Sequence, residues 1–291
     1  MPLRILSHFD AQEPVAYWTL DKTLGEIKGD NSLTFVTSAA ANLMPSMGLY
    51  PLGGYLNLAS EDYPMLSNFS PMVSDGSGDF SVDFWLRSSN VGAWNTFLSY
   101  STSIYDNEFM VMCDTTGTLK VYFHQQSHTL GSICWSILDG KWHHVAFVYQ
   151  KSLTTFNFYV DAVVRGTKTG SISHTLLNNG CLILGGEQDC LCGCLEAYQR
   201  HIGGLAKVKF WNFALSQEQV YYSQSSSGLS NMTAYRGSLG RILHFIYTGP
   251  RDGANVIGTD VYADDSDVAT AAVHAGASFE FCRVLVGPEH E

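Results

Sequence analysis

Between Phe80 and Asn212 the chain is a succession of strand-length runs broken by tight turns, and that rhythm admits few folds. From Phe80 to Arg87 the sequence alternates, placing Phe80, Val82 and Phe84 on one face. Glu108–Met112 and Leu119–Phe123, joined through a Thr-Thr-Gly turn, read as a hairpin. The run from Trp142 to Tyr149 starts at an Asp139-Gly140 turn, and Thr155–Asp161 returns antiparallel to it. Cys181–Gly186 is a short buried strand, and Leu205–Asn212 follows as another. Strands of this length and spacing close into an antiparallel sandwich or barrel. Aromatic residues make up 13% of the chain and charged residues only 15%, a balance that suits an all-β protein.

The 291 residues suffice for one large sandwich and a smaller module. The best helix signal is Ser216-Gln-Glu-Gln-Val-Tyr-Tyr, with Ser216 as cap and Glu218 and Gln219 near the capping-box position. The polar stretch after it, Ser223-Gln-Ser-Ser-Ser-Gly, has linker composition. The expected organisation is a sandwich over 1–225, a linker over 226–236 and a further module over 237–291.

A net charge of −11 repels phosphate backbones and argues against nucleic acid as a partner. No apolar run is long enough to span a bilayer, so membrane insertion is not expected. The N-terminus lacks a signal-peptide core, which taken alone predicts an intracellular chain. The sequons at Asn68 and Asn231 point toward a secreted glycoprotein. Seven cysteines leave at least one unpaired within the chain. Cys113 and Cys134 flank neighbouring strands and read equally as a disulfide or as two buried small hydrophobes.

The chemistry concentrates in Leu184-Gly-Gly-Glu187-Gln188-Asp189-Cys-Leu-Cys-Gly-Cys-Leu-Glu196-Ala-Tyr-Gln199. Three carboxylates and two amides follow a buried strand within a few residues. Calcium takes roughly six to eight oxygen ligands at flexible angles, and a divalent ion relieves the repulsion between crowded carboxylates. Glu-Gln-Asp, six residues, then Glu-x-x-Gln resembles the calcium loop of the pentraxins. The Gly203–Ser216 stretch, the runs Trp142-His-His-Val and Tyr159-Val-Asp, and a distant patch at Asp106-Asn107-Glu108 resemble the same family. The similarity covers roughly residues 14 to 222.

This resemblance implies a concanavalin A-like, two-sheet antiparallel jelly-roll sandwich with one short helix. It implies two adjacent Ca2+ ions. The first would be held by Asp106, Asn107, Glu187, Asp189 and the backbone carbonyl of Gln188, and the second by Glu187, Asp189, Glu196 and Gln199. It further implies an extracellular module that binds a carbohydrate or phosphate-containing ligand without catalysis, and homo-oligomer formation. The family's choline-contacting apolar position falls near Met112.

Some positions depart from the family. Its disulfide joins strands at positions that here are Asp83 and Ala146, as in laminin-G-like relatives that also lack the bond, and pentameric ring assembly loses a supporting feature. Cys190, Cys192 and Cys194 intrude on the loop. A soft-metal site there lacks a histidine partner; a loop disulfide involving Cys181 and plain small-residue replacement are the two remaining readings.

The stretch Gly253–Gly276 resembles an LCCL domain, a module of secreted and cell-surface proteins, and implies a partial α+β C-terminal module in an incomplete chain. Its helix would span Ala269–His274, with His274 packing rather than ligating. An enzyme is not expected. No Gly-x-Ser-x-Gly, P-loop or His-Glu-x-x-His occurs, and His143 and His144 on one strand point to opposite faces. The competing binding-protein reading is an adhesive module in which calcium only stiffens the loop.

Overall fold

A computed structural model of the chain describes residues 14–20, 24, 31–35, 42–44, 54–58, 63–72, 77–170, 173–225, 232–236, 242–247 and 282–285. The strands are β1 (Ala16–Trp18), β2 (Thr34–Phe35), β3 (Asn42–Met44), β4 (Tyr55–Leu58), β5 (Pro64–Phe69), β6 (Phe80–Arg87), β7 (Asn95–Ser101), β8 (Phe109–Cys113), β9 (Leu119–Phe123) and β10 (Gln126–Gly131). A four-residue helix α1 (Cys134–Ile137) intervenes. There follow β11 (Trp142–Gln150), β12 (Thr155–Val160), β13 (Val163–Thr169), β14 (Gly180–Leu184), β15 (Gln188–Cys190), β16 (Gly193–Leu195), β17 (Gly203–Trp211) and α2 (Gln217–Ser225). Residues 14–225 form one compact unit. In the other unit, β18 (Met232–Arg236), β19 (Ile242–Tyr247) and β20 (Cys282–Leu285) make a three-stranded antiparallel sheet. The expected LCCL-like helix and the sequon at Asn231 lie outside the described residues.

The large unit is a two-sheet antiparallel sandwich. One sheet runs β13-β12-β11-β6-β17-β4-β3, with β1 also paired to β17, and the other runs β10-β9-β8-β7-β14-β5-β2. Alternation on β6 puts Phe80, Val82, Phe84 and Leu86 into the core, with Val145, Phe147 and Tyr149 of β11 beside them. They meet Phe109, Val111 and Phe123 of the opposite sheet. The rings interlock, Phe80–Phe109 at 5.1 Å and Phe109–Phe147 at 5.0 Å between centroids. Each fully buried phenylalanine contributes about 1.5–3 kcal/mol of transfer free energy, so this aromatic layer is the main force holding the sheets together.

Helix α2 starts as expected: Gln219 N–H donates to Ser216 Oγ (3.2 Å), and Ser216 N–H donates to Gln219 Oε1 (2.8 Å). The single helix expected from sequence becomes two. Helix α1 is tied to β8 by the Cys113–Cys134 disulfide, and Cys134 N–H donates to Gly117 O (3.1 Å). A helix this short has no periodicity to read, so the tether and the turn set it rather than propensity.

A polar network stands at the two positions where the pentraxin resemblance would place a disulfide. Asp83 and Ala146 are direct cross-strand partners, and Asp83 carries a buried polar network on the outer face of its sheet. Asp83 Oδ1 accepts from Ser223 Oγ (2.8 Å) and His144 Nε2 (3.0 Å), and Oδ2 accepts from Trp211 Nε1 (2.5 Å). Lys209 Nζ lies 3.6 Å from Oδ1 and donates to Ser223 O (2.9 Å) and Oγ (2.7 Å). Burial alone would raise the Asp83 pKa, but Lys209, His144 and Trp211 outweigh it and hold the carboxyl below its ordinary range. The network fastens α2 to three strands. Removing Asp83 leaves the Lys209 ammonium buried without its carboxylate, so Asp83→Ala is expected to cost about 3–5 kcal/mol in urea unfolding, and Ser223→Ala about 1 kcal/mol.

Candidate metal centre

The acidic loop leaves β14 through Gly185-Gly186, and both glycines are needed there. Gly185 has φ +78°, and a Cβ on it would sit 2.2 Å from Leu58 Cδ1; one on Gly186 would sit 2.9 Å from Tyr63 Cδ1. Gly185 N–H donates to Phe97 O (2.9 Å), and Ser99 Oγ donates to Gly186 O (2.7 Å). The chain is thereby delivered to the outer surface of the second sheet, over β7 and β14.

There Gln188 fixes it. Its side chain is fully buried. Nε2 donates to Cys181 O (2.9 Å), Ser99 O (3.1 Å) and Ser99 Oγ (3.1 Å); Oε1 accepts from Ser101 Oγ (2.7 Å) and Cys192 N–H (3.1 Å). Since side chains alternate, an inward Gln188 turns Glu187 and Asp189 away from the sheet. Two disulfides lock the β15–β16 hairpin, Cys181–Cys192 to the sheet and Cys190–Cys194 across the hairpin. Cys192 (φ +59°) and Cys194 (φ +56°) sit in the left-handed region that glycine favours, at a cost on the order of 1 kcal/mol each. The loop cysteines thus pair with each other and with Cys181, which resolves the two readings left open by the sequence. Among the described residues, six cysteines are in disulfides.

The second acidic segment arrives from the β7–β8 loop. Asp106 Oδ1 accepts from Asn107 N–H (2.8 Å), Asn107 Nδ2 (3.3 Å) and Gln125 Nε2. Gln125 N–H donates to Asn107 O (3.0 Å), so the β9–β10 turn backs the pair. The two segments meet electrostatically at Glu187. Its carboxyl is pushed up to about 8, first by burial and then by the negative fields of Asp189, Glu196 and Asp106; a hydrogen bond with Asp189 adds to the shift. Glu187 Oε2 and Asn107 Oδ1 are buried acceptors without a donor among the described residues.

Of the seven residues expected from sequence, Asp106, Glu187, Asp189 and Glu196 share one electrostatic neighbourhood. Asn107 adjoins Asp106. The Gln188 side chain turns inward. Gln199 lies in a 3-10 turn (Ala197–Gln199), with its amide on Tyr198 Oη (3.3 Å). Among the described residues, no three His, Cys, Asp or Glu side chains stand in the arrangement of a formed metal site. The donor set nonetheless fits a hard cation. Two orphaned acceptors and a carboxylic acid held protonated by its neighbours are what a divalent charge would satisfy. Met112, expected as an apolar wall, is 1% exposed and presents no such surface.

The sequence placed Glu108 beside the second acidic patch but gave its carboxylate no role. It is fully buried, accepts from Leu177 N–H (2.6 Å) and lies 3.1 Å from His124 Nε2; burial pushes its carboxyl up to about 7. The available signal was its place immediately before the buried run Phe109–Cys113, where an acid is unexpected.

The chain belongs to the concanavalin A-like lectin/glucanases superfamily, whose family model matches residues 59–221, more than half of it. It is 27% identical over 146 residues to C-reactive protein 1.1 of Limulus polyphemus, covering 50% of this chain and 60% of that protein. It is 30% identical over 147 residues to human neuronal pentraxin-1, covering 49% of this chain and 32% of that protein. The chain therefore spans well under two thirds of either relative. Among solved structures, domain 4 of the extracellular arabinanase AbnA of Geobacillus stearothermophilus, in complex with arabinotriose, superposes with a TM-score of 0.55 at 16% identity. That match covers 72% of this chain and 98% of the domain, and it shows a shared fold.

The raised acids make a pH prediction. Glu187 (about 8) and Glu108 (about 7) keep a proton in the folded chain that the unfolded chain loses near 4.5. Their contribution is complete below that value and is lost as pH rises through 7 to 8. Buried His201, lowered by desolvation to about 4, works oppositely, but only below its ordinary 6.5. In chelator, the melting temperature is expected to fall from about pH 6.5 to about pH 8.5, and Glu187→Gln to flatten most of that slope in calorimetric scans.

Proposed function

We propose that the chain is a calcium-dependent binding module of pentraxin type that recognises carbohydrate or phosphate-ester ligands outside the cell. The observation that carries this reading is the convergence of Asp106, Asp189 and Glu196 on Glu187, beside two buried acceptors that lack donors. Bound calcium supplies a divalent charge with coordination positions left open to ligand oxygens. Asp106, Asn107, Glu187, Asp189 and the Gln188 carbonyl would hold one ion, and Glu187, Asp189, Glu196 and Gln199 a second. Such ions would require Glu187 in its ionised form.

Three supports stand beside this. The pentraxin relatives align over half of the chain. Three disulfides fit an oxidising, extracellular compartment. The exposed Tyr198 stands one residue from Gln199, as an aromatic face for a sugar ring.

We further propose that the module does not catalyse. Glu187 and Asp189 hydrogen-bond to each other rather than facing across a cleft, as an acid and nucleophile must. His144 is buried on Asp83, and His143 is held by Asp161 (2.8 Å) and Asp139 (3.1 Å), so neither is free for proton transfer to a substrate.

An array of glycans and phosphocholine, probed with and without chelator, tests the proposal. Binding that disappears with chelator and in Asp189→Ala, which loses a ligand shared by both ions, is expected. Calcium uptake with no array signal would leave only the stiffening role. Binding indifferent to chelator would refute calcium dependence.

A further inference from the structure

The other face of the sandwich carries a second constellation. On the outer face of the β6 sheet, beyond the part fastened to α2, Arg87 packs against a pair of aromatic rings. Its Cζ is 5.4 Å from the ring centroid of Tyr55 and 5.4 Å from that of Trp142, and those rings meet edge-on at 5.2 Å. Arg87 is the cross-strand partner of both Trp142 and Gly204. A Cβ on Gly204 would lie 2.6 Å from Trp142 Cη2 and 3.1 Å from Tyr55 Cδ2, so glycine there lets the two rings close over β17. Trp85, two residues along β6 on the same face, packs into this cluster with Tyr55, Ala206 and Trp142.

Three properties make this more than packing. Arg87, Trp85 and Trp142 are half-buried, each with surface left to water. No ion pair joins Arg87 to a carboxylate among the described residues, so its donor fork is uncommitted in a chain with 27 acids and 16 bases. The Trp85 Nε1–H is buried with no acceptor among the described residues, a group that costs about 1–3 kcal/mol if it stays unpaired.

We propose that this aromatic-flanked arginine is a binding site for a carboxylate-bearing saccharide, a uronic or sialic acid residue, separate from the metal centre and independent of calcium. A guanidinium packed against two rings presents a planar fork that matches a carboxylate in bidentate geometry. Tryptophan faces left to water stack on the apolar side of a sugar ring. A peptide fits less well. The site lies on the face of inner strands β6, β11 and β17, whose backbone groups are paired within the sheet, so no edge is open to strand addition. A single arginine in a chain of net charge −11 also favours one acidic unit over a highly sulfated polymer.

The test follows tryptophan fluorescence while a hyaluronan tetrasaccharide is titrated in chelator, with its carboxyl-reduced form as control. Saturable quenching by the acid form, at least about tenfold weaker for the reduced form and for Arg87→Gln, is expected. Arg87→Lys, which keeps the charge and loses the fork, guards against a folding defect and should also weaken binding while melting normally. Equal binding of acid and reduced saccharides, or no saturable change for a folded wild-type chain, would overturn the proposal. Because the titration excludes calcium, neither result bears on the metal centre.

Discussion

The acidic loop depends on one buried amide. Gln188 is the member of Glu187-Gln188-Asp189 whose side chain turns into the sheet, where it makes five hydrogen bonds to β7, β14 and the hairpin. A buried amide satisfied this fully is stiff, because each alternative orientation strands a polar atom. Its inward position forces Glu187 and Asp189 outward side by side. Their mutual repulsion, which would otherwise open the loop, becomes a standing demand for positive charge. The two loop disulfides serve the same end, holding cysteines in left-handed conformations so that the hairpin returns Glu196 to the same place.

The opposite sheet follows a different logic. Asp83 sits opposite Ala146, where the pentraxin resemblance would place a covalent link between β6 and β11, and uses charge instead. A disulfide joins two strands. The Asp83 network joins β6, β11, β17 and α2 together, at the cost of burying Lys209 and His144. That leaves the far half of the face uncovered by this network, where Arg87 and the tryptophans lie. The two faces thus use electrostatics in opposite senses: an uncompensated anionic cluster on one, and a compensated pair beside a solitary guanidinium on the other.

Much of this was legible in the sequence, and the gaps have physical reasons. Alternation identified β6, and turn signals bracketed β8, β9, β11 and β12, because both are local properties. Ser216 and Gln219 announced α2 for the same reason. The acids of the candidate site were found through a resemblance spanning two distant segments, which no local rule would connect. The sequence offered the backbone carbonyl of Gln188 as a ligand and assigned nothing to its side-chain amide, which is the anchor. Nothing in the order of residues says which member of a polar triplet turns inward. Helix α1 and the role of the Glu108 carboxylate were invisible because tertiary contacts, a disulfide in one case and burial in the other, decide both. The loop disulfides were narrowed to alternatives but not assigned, since close cysteines permit several pairings.

The central claim is that Glu187 and its neighbours are built for divalent cations. Calorimetric titration of the chain with calcium near neutral pH tests it most directly, repeated in two buffers of different ionisation enthalpy. The account predicts saturable binding of two ions, accompanied by proton release from Glu187. Titrations that show no binding at about millimolar calcium, the weak end of natural extracellular sites, would contradict it.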